Sequence, residues 1–337
     1  MSLISIIVPA YNTASFIERT LSSIVEQDVP DIEVVIVDDG STDDTLEVIE
    51  TFFTAGNSTR LKKIIVSQVN SGVSAARNRG LSLASGKYVL FLDFDDLLNV
   101  GVLRRFIEAA ETTSADIVIG GYELANESGI TLREVNSEWF SGTIAGETAA
   151  ERILKSKLRP WTASVLYRRE FLISKDLKYQ RGCNFGEDSE FTIKLVYRAE
   201  TVACFPDTVY KYIQRGGSLS NKNDLQVFHY PASKRRLLVF FTRAQEAKLA
   251  RIIESRYLPY SFLVSLNLIS VNKDLKKQFK QIAGSMQVRR IMKRYFQLES
   301  NQRTLRLSFD ISLLLLSPSV FLTYRNIVYH IKRLFRR

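Results

Sequence analysis

Four short runs of largely branched or aromatic residues punctuate the first hundred positions: Ile4–Val8, Ile32–Val37, Leu61–Val66 and Tyr88–Leu92. The stretches between them have helical spacing. Phe16, Leu21, Ile24 and Val25 recur after Ser15, and Thr42–Phe53 and Ser74–Ala84 follow the same rhythm. A short apolar run bounded by turn residues suits a strand buried on both faces. Strands separated by helices of about ten residues cannot pair as hairpins; they need crossovers, which are right-handed. The pattern predicts an α/β fold, a mainly parallel sheet flanked by helices. Such a sheet binds ligands beyond the carboxyl ends of its strands, which directs attention to the residues just after Val8, Val37, Val66 and Leu92.

Each of these positions carries a polar cluster. Pro9-Ala10-Tyr11-Asn12 follows the first strand and Asp38-Asp39-Gly40-Ser41-Thr42-Asp43 the second. Asn70-Ser71-Gly72 opens the helix that carries Arg77 and Asn78, and Asp93-Phe94-Asp95-Asp96 ends the fourth strand. Three carboxylates within four residues repel one another unless solvated or neutralised by a cation. Oxygen donors of this kind suit Mg²⁺ or Mn²⁺, which keep waters and bridge substrate phosphates. Alone, the cluster reads equally as an acidic turn or cap, and Asp-Gly-Ser-Thr-Asp is ordinary turn and N-cap chemistry.

Taken together and in order, five segments resemble the family 2 glycosyltransferases: IIVPAYN at 6–12, VIVDDGSTDDT at 35–45, NSGVSAARNRGL at 70–81, YVLFLDFDD at 88–96 and GED at 186–188. The resemblance runs to about residue 220 and implies a GT-A fold and an inverting, metal-dependent transfer from a UDP-sugar. By it, Pro9, Ala10, Tyr11 and Asn12 would line the nucleotide pocket, and Asp39 would accept a hydrogen bond from the base. Asn70, Gly72 and Arg77 would shape the wall near ribose and phosphates. Asp93 and Asp95 form the DxD motif, with Asp95 as the direct metal ligand and Asp96 as an additional partner. Asp188 would be the general base, with Glu187 touching a substrate sugar.

The resemblance places Trp161 near the acceptor, although Ala163 and Ser164 stand where relatives commonly have a Lys; a core Trp is the alternative. Arg215 would pair with phosphate oxygens, next to a Gly216–Gly217 lid, unless this stretch is a plain surface turn. His229 is a further metal-ligand candidate, with a structural role as the plainer reading. The acceptor expected is a saccharide or lipid-linked oligosaccharide in cell-surface polysaccharide synthesis.

Beyond residue 220 the composition changes. Residues 221–337 carry 23 Lys+Arg and 6 Asp+Glu, a balance of +17, whereas residues 1–220 balance at −7. We therefore expect a catalytic domain over 1–220 and a helical basic region over 221–337. A basic surface seeks a polyanion. Nucleic acid is one, but no groove-reading or base-stacking module is visible. The other is a membrane surface. Tyr324, Ile327, Val328, Ile331, Leu334 and Phe335 would form one helical stripe beside Arg325, Lys332, Arg333, Arg336 and Arg337. That pattern, with the basic stretch Lys273–Arg294, suits a peripheral helix on an anionic leaflet. The longest apolar stretch, Ile311–Leu322, is shorter than the roughly 20 residues of a spanning helix. No signal peptide is apparent, and Cys183 and Cys204 read as free thiols. These features together predict a cytoplasmic protein peripheral on the inner leaflet.

Overall fold

The structure is a computed structural model and describes residues 2–55, 61–215, 224–298 and 304–334, the last helix with side chains to 328. Two compact units are present: Met1–Cys183 with Glu187–Arg215, and Asn184–Gly186 with Gly216–Arg337.

In the first unit β1 (Ile4–Ala10), β2 (Ile32–Asp38), β3 (Lys62–Ser67) and β4 (Tyr88–Phe91) are all parallel, in the order β3-β2-β1-β4. Helices α1 (Ile17–Val25), α2 (Thr45–Thr54) and α3 (Val73–Leu83) cross between them. β1 and β2 are buried along their whole lengths, as their branched runs require. Gly80 lets α3 lie close on the sheet, since a Cβ there would stand 2.3 Å from Ile7 Cγ2.

The strand order reverses direction between β1 and β4, and this is where an open α/β sheet splays to admit ligands. Pro9 sharpens the opening. Ile7 C=O accepts the Leu92 N–H at 3.0 Å, so Pro9, two residues on, faces the same side just beyond the last pairing with β4. No strand is there to receive an N–H, and a proline is accommodated in an interior strand.

The other half of the sheet is mixed. After β5 (Leu97–Leu98) and α4 (Val102–Thr113), β6 (Ile117–Ala125) turns back through β7 (Thr131–Val135). β8 (Thr143–Ile144) and α5 (Gly146–Leu154) lead to β9 (Val165–Arg168), which lies antiparallel between β4 and β6. After α6 (Arg169–Ser174) and α7 (Glu187–Arg198), β10 (Val202–Ile213) pairs parallel to β6. The polar stretch 126–137 contains β7. Four of its five residues are exposed, so this edge strand carries no apolar alternation to announce it.

A polar knot closes the opposite end of the sheet. Buried Glu33 accepts from Ser5 Oγ, Lys62 Nζ and both the N–H and Oγ of Ser85. Burial would push its carboxyl up, but these donors prevail and hold it down to about 2.

The second unit is helical: α8 (His229–Arg243), α9 (Ala247–Ile252), α10 (Leu258–Ser270), α11 (Lys276–Gly284), α12 (Met286–Arg294), α13 (Leu305–Leu316) and α14 (Pro318–Leu334). Its own core gathers Leu266, Ile269, Met292 and Ile311 around the stacked rings of Phe279 and Phe321, 6.2 Å apart. Leu305, Phe309 and Leu316 on α13, and Val320 and Ile327 on α14, are exposed. The spacing of each set gives one helical stripe, and the Phe309–Tyr324 ring contact at 5.5 Å joins the two stripes. Among the described residues no helix is long and apolar enough to cross a membrane.

Candidate active site

The carboxyl ends of β1 and β2 are stitched to the start of α3. Ala10 C=O accepts the Asp39 N–H at 2.8 Å, Asn12 N–H donates to Ser41 Oγ at 2.9 Å, and Asn12 Oδ1 accepts the Thr42 N–H at 2.8 Å. Asn12 takes the left-handed conformation, φ 52°, that an asparagine tolerates. Tyr11 is left projecting from this frame. Asp39 is buried and holds the next loop: Oδ1 accepts from Gln68 Nε2 at 2.7 Å and Ser71 N–H at 2.9 Å, and Oδ2 from Gly72 N–H at 2.7 Å. A carboxylate offers about four acceptor directions, so three go to the protein and one remains. Gly72, at φ +86°, starts α3, and Asn70 stands exposed beside Gly40.

Arg77 rises from α3 into the centre of the acidic groups, its side chain only 4% exposed. Nη2 meets Asp93 Oδ1 at 2.6 Å, Nη1 meets Glu187 Oε1 at 3.1 Å, and the guanidinium lies 5.2 Å from the Tyr179 ring. Tyr179 is in turn stacked on Phe191 at 3.9 Å. Burial alone would lower the arginine's affinity for its proton; the charges of Asp93 and Glu187 outweigh it and raise it well above the usual value. One arginine therefore ties the end of β4 to the start of α7.

Arg215 is the second clamp. Its Nε meets Asp95 Oδ2 at 2.5 Å, and the guanidinium lies 4.5 Å from the Phe16 ring centre and 5.0 Å from that of Phe94. Burial, and then the charge of Asp93, push the Asp95 carboxyl up while Arg215 pulls it down, with a net rise. Asp96, expected as an additional partner for donor or metal, is instead turned inward. It is 1% exposed, Oδ1 accepts the Ile213 N–H at 3.1 Å, and Oδ2 has no partner among the described residues. Burial, followed by Asp95 and Asp93, drives its carboxyl far above the ordinary range. Thr20 Oγ1 fixes the turn by donating to the carbonyls of Phe94 and Asp96.

With Arg77 on one oxygen of Asp93 and Arg215 on one of Asp95, each keeps its other oxygen. No group of three or more Asp, Glu, His or Cys among the described residues is arranged to hold a metal. Two carboxylate oxygens suit a hard divalent ion that takes its remaining ligands from water and a diphosphate; a site closed by protein alone does not fit this donor set. His229 lies in the second unit, where its Nδ1 accepts the Asn184 N–H at 3.2 Å. Gly216 and Gly217 lie outside the described residues.

Glu187 and Asp188 stand in the first turn of α7, where carboxylates are favoured by the helix dipole. Asp188 Oδ1 accepts the N–H of Ser189 at 2.6 Å, and its charge is felt by Tyr122, Tyr167 and Tyr179, whose hydroxyls burial holds in the protonated form. Burial and then the charge of Asp188 push the Glu187 carboxyl up to about 7, against Arg77. Trp161 is 40% exposed, with ring centres of Tyr122 and Tyr212 at 5.6 and 5.7 Å, so it is not a core residue. Tyr179, Tyr122 and Tyr212 carry no motif, and only the register of β6 with β10 brings the last two together.

Paired acidic residues thus stand at the switch point, tied through Arg77 to the two-carboxylate start of α7. The model of the family described as glycosyl transferase family 2 matches residues 5–176. The chain belongs to glycosyl transferase family 2. Among similar family members, EpsJ of Bacillus subtilis is 31% identical over 65% of this chain and 63% of its own length. For GlyG of Streptococcus pneumoniae the identity is 31% over 64% and 72%. The poly(ribitol-phosphate) beta-N-acetylglucosaminyltransferase TarS of Staphylococcus aureus is 31% identical over 63% of this chain but 35% of its own. The chain thus spans less than two thirds of EpsJ and about a third of TarS. The structure of TarS 1–349 with UDP-GlcNAc superposes with a TM-score of 0.69 at 22% identity, covering 98% of this chain and 92% of that one. A mannosyltransferase of Pyrobaculum calidifontis, solved with GDP-Man and Mn²⁺, gives 0.54 at 19% identity, covering 94% and 86%. The family 2 chain has the GT-A fold.

The raised Glu187 carboxyl has a consequence for stability in this family member. Its folded value, about 7, lies above the ordinary 4.5, so the protonated form favours folding below pH 4.5. That contribution is lost as pH rises through 7, on the order of 3 kcal/mol at most. Thermal unfolding of Glu187→Gln from pH 4.5 to 8 is expected to show a flatter profile than wild type; parallel profiles would contradict the assignment.

Proposed function

We propose that this chain transfers a sugar from a UDP-sugar to a hydroxyl of a saccharide or lipid-linked oligosaccharide, with inversion at the anomeric carbon, in cell-surface polysaccharide synthesis. The observation that carries the reading is the Arg77 clamp, which sets Asp93 of the donor rim against Glu187 and its neighbour Asp188. The UDP-GlcNAc and UDP complexes of TarS support a uridine diphosphate donor.

In this scheme Tyr11 and Asn12 border the base and ribose, and the free acceptor direction of Asp39 receives an N–H of the uracil. Asn70 and Gly72 form the wall beside them. Asp93 and Asp95 would hold Mn²⁺ or Mg²⁺, which when bound neutralises charge developing on the departing diphosphate. Arg215, already at Asp95, is within the same acidic group and suited to a phosphate oxygen. Asp188 takes the proton of the acceptor hydroxyl as its oxygen bonds to the anomeric carbon and the bond to the diphosphate breaks on the other side. Glu187, fixed by Arg77, orients a substrate sugar.

We further propose that the unit carrying Gly216–Arg337 attaches the enzyme to the cytoplasmic face of the membrane. The continuous exposed stripe of Leu305, Phe309, Leu316, Val320 and Ile327 supports this, as does the exposure of Arg290 and Lys293 on α12, whose Val288, Ile291 and Met292 face inward. Exposed apolar side chains and cations on one unit suit the boundary between headgroups and acyl chains.

Asp188→Asn is expected to lower kcat by about 10²–10⁴-fold, as loss of a general base does, while UDP affinity in the presence of Mn²⁺ stays at the wild-type value. Undiminished turnover would remove Asp188 from the chemistry. In sedimentation with phosphatidylglycerol vesicles at low salt, the full chain is expected to pellet and a Leu305→Ser/Phe309→Ser/Ile327→Ser variant to remain in solution with unchanged UDP affinity. Failure of the wild type to pellet, or equal pelleting of the variant, would contradict the membrane role.

A further inference from the structure

One face of the mixed half of the sheet carries groups that the transfer scheme leaves unused. Tyr122 is in register with Tyr210 on β10 and with Val135 on β7, and Leu124 is in register with Tyr212 and with Arg133. Side chains alternate along a strand, so these residues share a face, and Trp161 lies on it against Tyr122 and Tyr212. The result is an aromatic shelf with one exposed indole at its edge.

The chain around β7 brings a second arginine to this shelf. Glu138 N–H donates to the Lys157 carbonyl at 2.7 Å, and Arg159 N–H donates to Ser137 Oγ at 3.0 Å. The segment just before Trp161 is thereby tied to the residues just after β7, and Arg159 flanks the shelf together with Arg133. Both arginines are exposed, and neither forms an ion pair with a carboxylate among the described residues.

The nearby carboxylates of these strands point away. Glu123 and Glu134 are in register with each other on the opposite face, where Glu123 accepts from Asn99 at 2.7 Å and Thr208 at 2.9 Å. The Tyr122 hydroxyl feels the charges of Arg133 and Arg159 together with that of Asp188, so the shelf and the proposed base share one electrostatic neighbourhood. An indole face suits the C–H face of a pyranose, and a guanidinium pairs with phosphate through two parallel hydrogen bonds.

We propose that the acceptor is a phosphate-bearing saccharide, its sugar ring on the Trp161–Tyr122–Tyr212 shelf and its phosphate held by Arg133 and Arg159. This rests on the reading of the chain as a nucleotide-sugar transferase and adds the class of its acceptor. Arg133 and Arg159 are binding residues and take no part in the proton transfer.

The test uses the full chain carrying Trp139→Phe, which leaves Trp161 as the single tryptophan. Saturating UDP and Mn²⁺ keep the donor site filled, and the UDP affinity measured first separates a failure of the donor reading from a failure of this one. Glucose 6-phosphate and glucose are then titrated against Trp161 fluorescence at low salt. The phosphate ester is expected to act at a concentration at least about tenfold lower than glucose, which corresponds to about 1.4 kcal/mol. Arg133→Gln/Arg159→Gln in the same background is expected to bring the two ligands to parity without changing the glucose response or the UDP affinity. Equal response of the parent protein to both sugars, a preference that survives the double substitution, or no response to either would overturn the proposal.

Discussion

A guanidinium almost wholly enclosed, with a carboxylate at each end and an aromatic ring beside it, organises this molecule's chemistry. Arg77 could not be buried alone, because an uncompensated charge in the interior costs several kcal/mol. Asp93 and Glu187 compensate it, and each is held in place as a result. Removing one member of such a buried set leaves the others unpaired, at about 3–5 kcal/mol. The interaction links a strand end formed early in the chain to a helix start roughly a hundred residues later. Without it the donor rim and the proposed base would be two unrelated acidic surfaces.

The acidic cluster divides its work by burial. Asp96 faces inward, where burial pushes its carboxyl up, and it secures β10 through the Ile213 N–H. Asp93 and Asp95 stay nearer the surface, each on an arginine and each with an oxygen to spare. Two carboxylate oxygens are thus left at the switch point, where the proposed diphosphate and its counter-ion would meet. Three aspartates within four residues of sequence become a structural residue and two candidate ligands in space.

The parallel half of the fold was legible in the sequence because every signal there is local. Branched runs mark β1 to β4, helical spacing marks α1 to α3, and turn chemistry marks the strand ends, with boundaries correct to within about three residues. The mixed half was less so. β7 is an edge strand with an exposed, polar sequence, and the insertion of β9 between β4 and β6 depends on pairings remote in the chain. The candidate site divides in the same way. Its acidic and glycine-containing segments could be picked out by their position after strands, whereas no spacing rule joins Arg77 to Glu187 or sets Tyr122 beside Trp161. Asp39 shows the limit most clearly: the sequence supplied the residue, but its three bonds to the 68–72 loop follow only from the fold.

A structure of the protein crystallised with UDP and Mn²⁺ tests the central claim most directly. The nucleotide is expected beyond the carboxyl ends of β1 and β2, the ion between the diphosphate and Asp95, and Asp188 on the side of the sugar pocket away from the leaving group. A nucleotide bound elsewhere, or Asp95 still closed against Arg215 with the ion absent from it, would contradict the account.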